Sequence, residues 1–297
     1  PAQRALLQRG MDRLLTERST RIRPMRDEKI LTSWNGLMIG ALARAGLVLL
    51  DRSLIEDAAR AASFVWQELR DPKRGLLRRW CDGEARFDGY LDDHAFLIRG
   101  YLDLYEATFE VVWLERARVL QQELDAALLD ETDGLYFLSR EASDILVRVK
   151  SDHDGAEPAG NSVGAKNLFR LAEFTGEESY RTKAERIISR AASRVGDYPY
   201  AMPAMMAAAH WMIHPPATLV FAGKGTEPLA EAAAEHYQPV MVRMHSAETP
   251  VPFARTLTAV DGHPTAYLCH GLRCERPVTS AEALSALLAG GESSRKV

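Results

Sequence analysis

Cysteine is scarce in this 297-residue chain: Cys81, Cys269 and Cys274 are the whole set, and no CxxC pair occurs. That excludes the disulfide framework of small secreted domains, and the three thiols are expected to be mostly reduced. No uninterrupted apolar run approaches the roughly 20 residues that span a bilayer, and the start Pro1-Ala2-Gln3-Arg4 lacks the apolar core of a secretion signal. These absences point to a cytoplasmic location without membrane contact. An initiator methionine is absent too, so a processed product, or a piece of a longer polypeptide with segments upstream, is expected. Excess positive charge is also missing: the formal net charge is -4, which gives no general electrostatic reason for binding nucleic acid or an anionic membrane. A small neutral polar ligand fits better.

What the chain has is enough apolar residue to build a core. Hydrophobic residues make up 46% and charged residues 26%, ordinary for a globular protein and unlike a disordered one. The length suits one large helical domain with an appendage, or two domains.

Periodicity carries most of the fold information. Leu6, Leu7, Met11, Leu14 and Leu15 recur at helical spacing and mark a surface helix. From Ile30 to Leu50, apolar residues surround much of the helical circumference, predicting burial. Ser53-Leu54-Ile55-Glu56 reads as a capping box, followed by one apolar stripe through Ala58, Ala62, Val65 and Leu69. The alternation repeats: Leu91 to Tyr105 is apolar on more than one face, whereas Leu114, Ala117, Leu120 and Leu124 form a single stripe. A third pair runs from Asn161 to Val195, and a Met-rich helix begins near Tyr200. Leu135 to Val149 is β-branched and aromatic enough for a hairpin between helices. After Pro215-Pro216 strand-like and helical stretches alternate.

The expected fold class is therefore mainly α: residues 1–215 form a helical-hairpin array, either a solenoid or a closed (α/α) toroid, and residues 216–297 a small α/β appendage.

In an up-and-down array every second helix starts at the same end. The segments entering the inner helices should therefore share one rim, and they are polar and aromatic: Thr32-Ser33-Trp34-Asn35-Gly36, Tyr90-Leu91-Asp92-Asp93-His94, Asp152-His153-Asp154 with Asn161-Ser162, and Tyr198-Pro199-Tyr200. Aromatic faces beside Asp, Asn and His suit a sugar, which offers apolar faces and many hydroxyls. Paired carboxylates there could work as acid and base on a glycosidic bond. Asp93 and Asp154 are the catalytic candidates, with Asp92 and Asp152 as substitutes and His94 as the proton-transfer group an epimerase or isomerase would need. Trp34, Asn35, Tyr90, Asp92, Asp152 and Asn161 are the substrate-binding candidates. Several have a structural alternative: capping for Asp92, Asp93, Asn161 and Ser162, packing for Trp34, a simple hydrogen bond for His94 and His153. Asp152-His153-Asp154 and Cys269-His270 with Cys274 are weak metal patterns, so neither metal nor cofactor is expected. Phe221 to Thr226 lacks full Walker spacing and reads as a tight turn.

Taken in order, Arg23-Pro24, Lys29, Leu31 to Met38, Tyr90 to Ala95, Asp152 with Asp154-Gly155-Ala156, Gly160-Asn161-Ser162 and Pro264 to Tyr267 with Cys269 and Cys274 resemble the C-terminal part of the YyaL-type proteins, which include the animal spermatogenesis-associated thioredoxin-like proteins. The resemblance implies an N-terminal thioredoxin-like domain followed by a six-hairpin glycosidase-like toroid, similar to N-acylglucosamine 2-epimerases and helical-barrel glycosidases. About four hairpins precede residue 216, so the early part of the toroid is expected upstream, with an apolar edge expected to be exposed without it. Three roles fit: carbohydrate binding or processing, sugar epimerisation or isomerisation, or a non-enzymatic scaffold for the upstream redox domain.

Overall fold

The computed structural model describes residues 2–143, 145–151 and 153–293. It is mainly helical. The elements are, in order, α1 (Ala2–Ser19), β1 (Ile30–Leu31), α2 (Thr32–Leu49), α3 (Arg52–Glu68), β2 (Arg70–Asp71), β3 (Gly75–Cys81), β4 (Glu84–Asp88), α4 (Leu91–Thr108), α5 (Val111–Leu128), α6 (Gly160–Thr175), α7 (Glu178–Asp197) and α8 (Pro203–Ile213). They continue with β5 (Ala217–Ala222), α9 (Glu227–Ala234), β6 (Met241–His245), α10 (Pro252–Arg255), β7 (Thr265–His270), β8 (Arg273–Cys274) and α11 (Ala281–Ser293).

Helices α2, α4, α6 and α8 pack side by side as an inner layer, and α3, α5 and α7 cover them from outside. The inner helices run parallel: Gly36 near the start of α2 lies on Phe96 and Leu97 of α4, while Gly40 lies one turn on, against Gly100 and Asp103. The outer helices carry the single stripes, and Ala58, Ala62, Val65, Leu114, Ala117, Leu120, Ala184 and Ile187 are all buried in one core with Tyr101, Tyr105, Phe169 and Phe174. The result is an arc of an (α/α) toroid.

The all-round apolar α2 is not buried all round. Ile39 and Ala43 are enclosed, but Trp34, Met38 and Val48 on the opposite face are 59%, 57% and 61% exposed. Likewise α1 is a helix with no buried residue, and its leucines are covered by nothing among the described residues. An exposed apolar edge is therefore present.

At α3 the cap is Asp51, whose carboxylate accepts from Ser53 N, so the predicted capping box at Ser53 begins two residues late. Between α3 and α4 stands a sheet that the periodicity did not predict. β3 pairs β4 through an Asp82-Gly83 turn with both residues at positive φ, the geometry of a two-residue hairpin. The expected hairpin at 135–149 is reduced to an isolated Leu129–Tyr136 bridge and a Leu138 N to Val149 O hydrogen bond.

The C-terminal sheet has strand order β6-β5-β7-β8, with β5 and β6 parallel across α9 and β7 and β8 antiparallel. Leu219 and Phe221 face Leu229 of α9 and Leu284 of α11, whereas Val220, Val242 and Met244 join the helical core. Cys269 and Cys274 stand opposite each other on β7 and β8 and form a disulfide, which corrects the expectation of reduced thiols; Cys81 is free.

Close approach of α2 to α4 makes Gly36 irreplaceable. A Cβ there would sit 2.5 Å from the backbone of Phe96 and Leu97, neither of which can swing aside. Gly36→Ala is expected to cost about 1–3 kcal/mol in urea unfolding. Gly164→Ala in α6, where a Cβ meets nothing within 4 Å, should instead stabilise by about 0.4–1 kcal/mol.

Candidate functional site

The parallel inner helices put their first turns on one rim, and hydrogen bonds across that rim tie distant segments together. Asp93, fully buried, accepts Ser33 N at 3.0 Å on Oδ1, and Tyr90 N and Arg78 Nη1, each at 2.9 Å, on Oδ2. Asp154 accepts Ala159 N and Ala204 N, each at 2.8 Å, one on each oxygen. Trp34 Nε1 donates to Glu157 Oε1 at 2.6 Å. The start of α6 lies against Leu91 and Asp92, close enough that a Cβ on Gly160 would meet both.

These bonds sort the candidates. Asp93 and Asp154 are engaged as helix caps, with Asp93 also paired to Arg78, so both oxygens of each already accept hydrogen bonds within the fold. Burial raises the Asp93 carboxyl, opposed by the Tyr90 N–H and by Arg78. Asn161, 2% exposed, is also occupied: Oδ1 accepts Tyr136 N and Nδ2 donates to Tyr136 O, both at 2.9 Å, pinning the 130s loop to α6. His94 is fully enclosed. Its Nδ1 faces the Tyr90 carbonyl at 2.9 Å, which requires the proton on Nδ1, and Nε2 is buried without a partner. Burial lowers its pKa, so it is a neutral core imidazole rather than a solvent-fed proton carrier. Asn35 Nδ2 bonds back to Leu31 O. Asp152 lies outside the described residues, and His153 is exposed.

What is left open is a smaller constellation: Trp34, Asp92, Glu157 and Tyr90. Asp92 is half-buried with Oδ1 enclosed and unpartnered. Burial, then the neighbouring Asp93 charge, pushes its carboxyl up to about 6, with Glu157 adding and Arg78 and the Gly160 N–H opposing. A carboxylic acid at about 6 holds or releases a proton near neutrality, as acid–base work requires. Arg78 lies over the Tyr90 ring at 4.3 Å and joins this group to Asp93.

Sequence reasoning missed Arg78 and Glu157. Arg78 is legible only once the hairpin is seen, and the Asp82-Gly83 pair was its signal. Glu157 sits in a loop with no motif of its own. The cavity of about 570 Å³ on the concave side of the inner helices does not include Trp34, Asp92, Asp93 or Asp154 in its lining. Among the described residues no group of three or more His, Cys, Asp or Glu side chains is placed to hold a metal, and no helix is long and apolar enough to cross a membrane.

No family model matches the sequence. A GH76 α-mannanase of Bacteroides thetaiotaomicron superposes with a TM-score of 0.51 at 15% identity, covering 91% of this chain and 71% of that one. Cellobiose 2-epimerase of Bacillus thermoamylovorans covers 56% of this chain and 45% of its own, at 14% identity and a TM-score of 0.47. The mannanase likeness establishes the glycosidase-like (α/α) toroid fold and nothing finer. Among curated sequences, human spermatogenesis-associated protein 20 is 35% identical over 309 aligned residues, 97% of this chain, and an uncharacterized Caenorhabditis elegans protein is 31% identical over 305, 95% of this chain. The chain spans 39% and 41% of the lengths of those two relatives. Across nearly its whole length, then, it is homologous to one part of the spermatogenesis-associated protein 20 sequences.

Proposed function

We propose that the rim formed by Trp34, Tyr90, Asp92 and Glu157 binds a neutral carbohydrate, with Asp92 as its acid–base group. The observation that carries this reading is the half-buried Asp92 carboxyl at about 6, beside a second carboxylate and an indole that is 59% exposed. An exposed indole whose N–H is held by Glu157 is fixed in orientation, and its face is a stacking platform for a sugar ring. Protonated Asp92 would donate to a departing or migrating oxygen, and Glu157 would supply the second carboxylate that glycosidic chemistry needs. The fold shared with an α-mannanase supports a sugar over other neutral ligands at the level of architecture. Epimerisation is less well supported, because its proton carrier His94 is sealed in the core.

A second reading has its own support. Asp154 and Asn161 spend their polar atoms on backbone, and Asp93 spends its own on backbone and on Arg78, as a non-enzymatic scaffold for an upstream thioredoxin-like domain would allow.

A thermal-shift panel of mono- and oligosaccharides, manno-oligosaccharides included, separates the two, since a ligand that binds only the folded state raises the Tm. The carbohydrate reading expects a hit that Trp34→Ala weakens by about tenfold, roughly the worth of one aromatic contact. A silent panel favours the scaffold.

Asp92 also makes a stability prediction. Its folded pKa of about 6 lies above the ordinary 3.8, so the folded state holds the proton more tightly. The associated stability is present below about pH 4 and is lost as the pH rises through about 6. Asp92→Asn should therefore be more stable than the parent at pH 8, by up to about 3 kcal/mol, and no more stable at pH 3.5. Urea titrations at both pH values measure it; an equal difference at the two would show that Asp92 titrates normally.

A further inference from the structure

The cavity of about 570 Å³ lies deeper along the arc than the rim. It is bounded by the later turns of α2 and α4, by α6 and α8, and by residues 234–243 between α9 and β6. Five cationic side chains line it, Arg44, Arg99, Lys166, Arg170 and Arg243, against three carboxylates, Asp103, Glu106 and Glu235, an excess of two positive charges.

Two of the carboxylates are already spent. Asp103, 3% exposed, has Arg170 at 2.9 Å, Arg44 at 3.6 Å and Arg99 at 3.8 Å, so its charge is shared among three guanidinium groups. Glu106 accepts from Arg170 at 3.1 Å. Glu235 is exposed.

Lys166 and Arg243 are left over. Lys166 stands 5.0 Å over the Trp211 ring with no carboxylate in ion-pair range among the described residues. Burial, then the charges of Arg170, Arg44 and Arg99, bring its ammonium down to about 8. Arg243 donates Nη2 to Ala233 O at 2.8 Å, while its Nη1 is buried without a partner. Ser162, one turn before Lys166 on α6, lines the same cavity, is 1% exposed, and its Oγ has no partner either. Desolvated donors without acceptors are costly, and a protein that keeps two of them, Arg243 Nη1 and Ser162 Oγ, beside the half-buried ammonium of Lys166 gains from whatever acceptor fills the hollow.

We propose that this cavity binds a small organic phosphate monoester. The phosphate would rest on Lys166, Arg243 and the Ser162 hydroxyl, and the organic part against Trp211 and Val48. Charge selects phosphate over carboxylate: a monoester carries about -1.5 to -2 near neutrality and matches the two unneutralised cations, whereas one carboxylate leaves a cation unpaired. The volume is that of a small-molecule site. This proposal is independent of the carbohydrate reading, because none of Trp34, Tyr90, Asp92 and Glu157 lines the cavity.

Isothermal titration of the 297-residue chain in phosphate-free buffer, with glucose 6-phosphate, glucose, gluconate and inorganic phosphate as probes, tests it. Glucose 6-phosphate should bind with a Kd below about 1 mM, and glucose and gluconate at least about tenfold more weakly. Lys166→Met and Arg243→Gln should each weaken glucose 6-phosphate by about tenfold or more, and Ser162→Ala by about threefold. Circular dichroism of the unliganded variants confirms the fold; if a cation variant does not fold, Ser162→Ala decides, because it removes a hydroxyl with no structural partner. Asp92→Asn should bind the ester as the parent does, which separates failure here from failure at the rim. Absence of binding, gluconate as tight as the ester, or unchanged affinity in Ser162→Ala overturns the proposal. So does inorganic phosphate binding as tightly as the ester, which would mean an adventitious ion only.

Discussion

Everything on the rim depends on the carboxylate of Asp93. It ties the first turn of α2 through Ser33, caps α4 at Tyr90, and anchors β3 through Arg78. One fully buried charge thus fixes two parallel helices and a strand. Burying it would be prohibitive alone; three donors, one of them cationic, make it affordable, and the same saturation removes it from chemistry. Its neighbour Asp92 faces the edge of the same junction and is left underserved, so the fixed charge of Asp93 becomes part of what raises it. Two adjacent aspartates therefore have opposite fates because a helix turn rotates one inward and the other toward the rim.

The helical skeleton was legible because burying one stripe or two is written directly into the spacing of apolar residues. Ala58, Ala62 and Val65 read as an outer helix and are one; the strand-like stretches expected after Pro215-Pro216 are present as β5, β6 and β7. The misses have physical causes. Helix α2 is apolar on a face the described chain does not cover, so hydrophobicity overstated its burial. The β3–β4 hairpin is short and arginine-rich, without the clean alternation that marks a half-buried strand, and only its Asp82-Gly83 turn betrays it. The disulfide joins cysteines five residues apart, which only the β7–β8 register makes neighbours.

The rim was legible as a place but not in its assignments. Sequence shows that acidic and aromatic residues precede alternate helices; it does not show which carboxylates find amides. Asp93 and Asp154 looked reactive for the reason they are capping: a carboxylate at a helix start is what both roles require. Separating them took the partners Ser33, Ala159 and Ala204, which lie up to 60 residues away.

Asp154 has a mechanical consequence. Its two oxygens hold the opening amides of α6 and α8 at the same time, so neither helix can slide along its axis without dragging the other. Trp34 reaches into the same stretch through Glu157. The arc behaves at this end as a hoop rather than as separate staves, and a tug at the indole is felt by the loop that leads into α6.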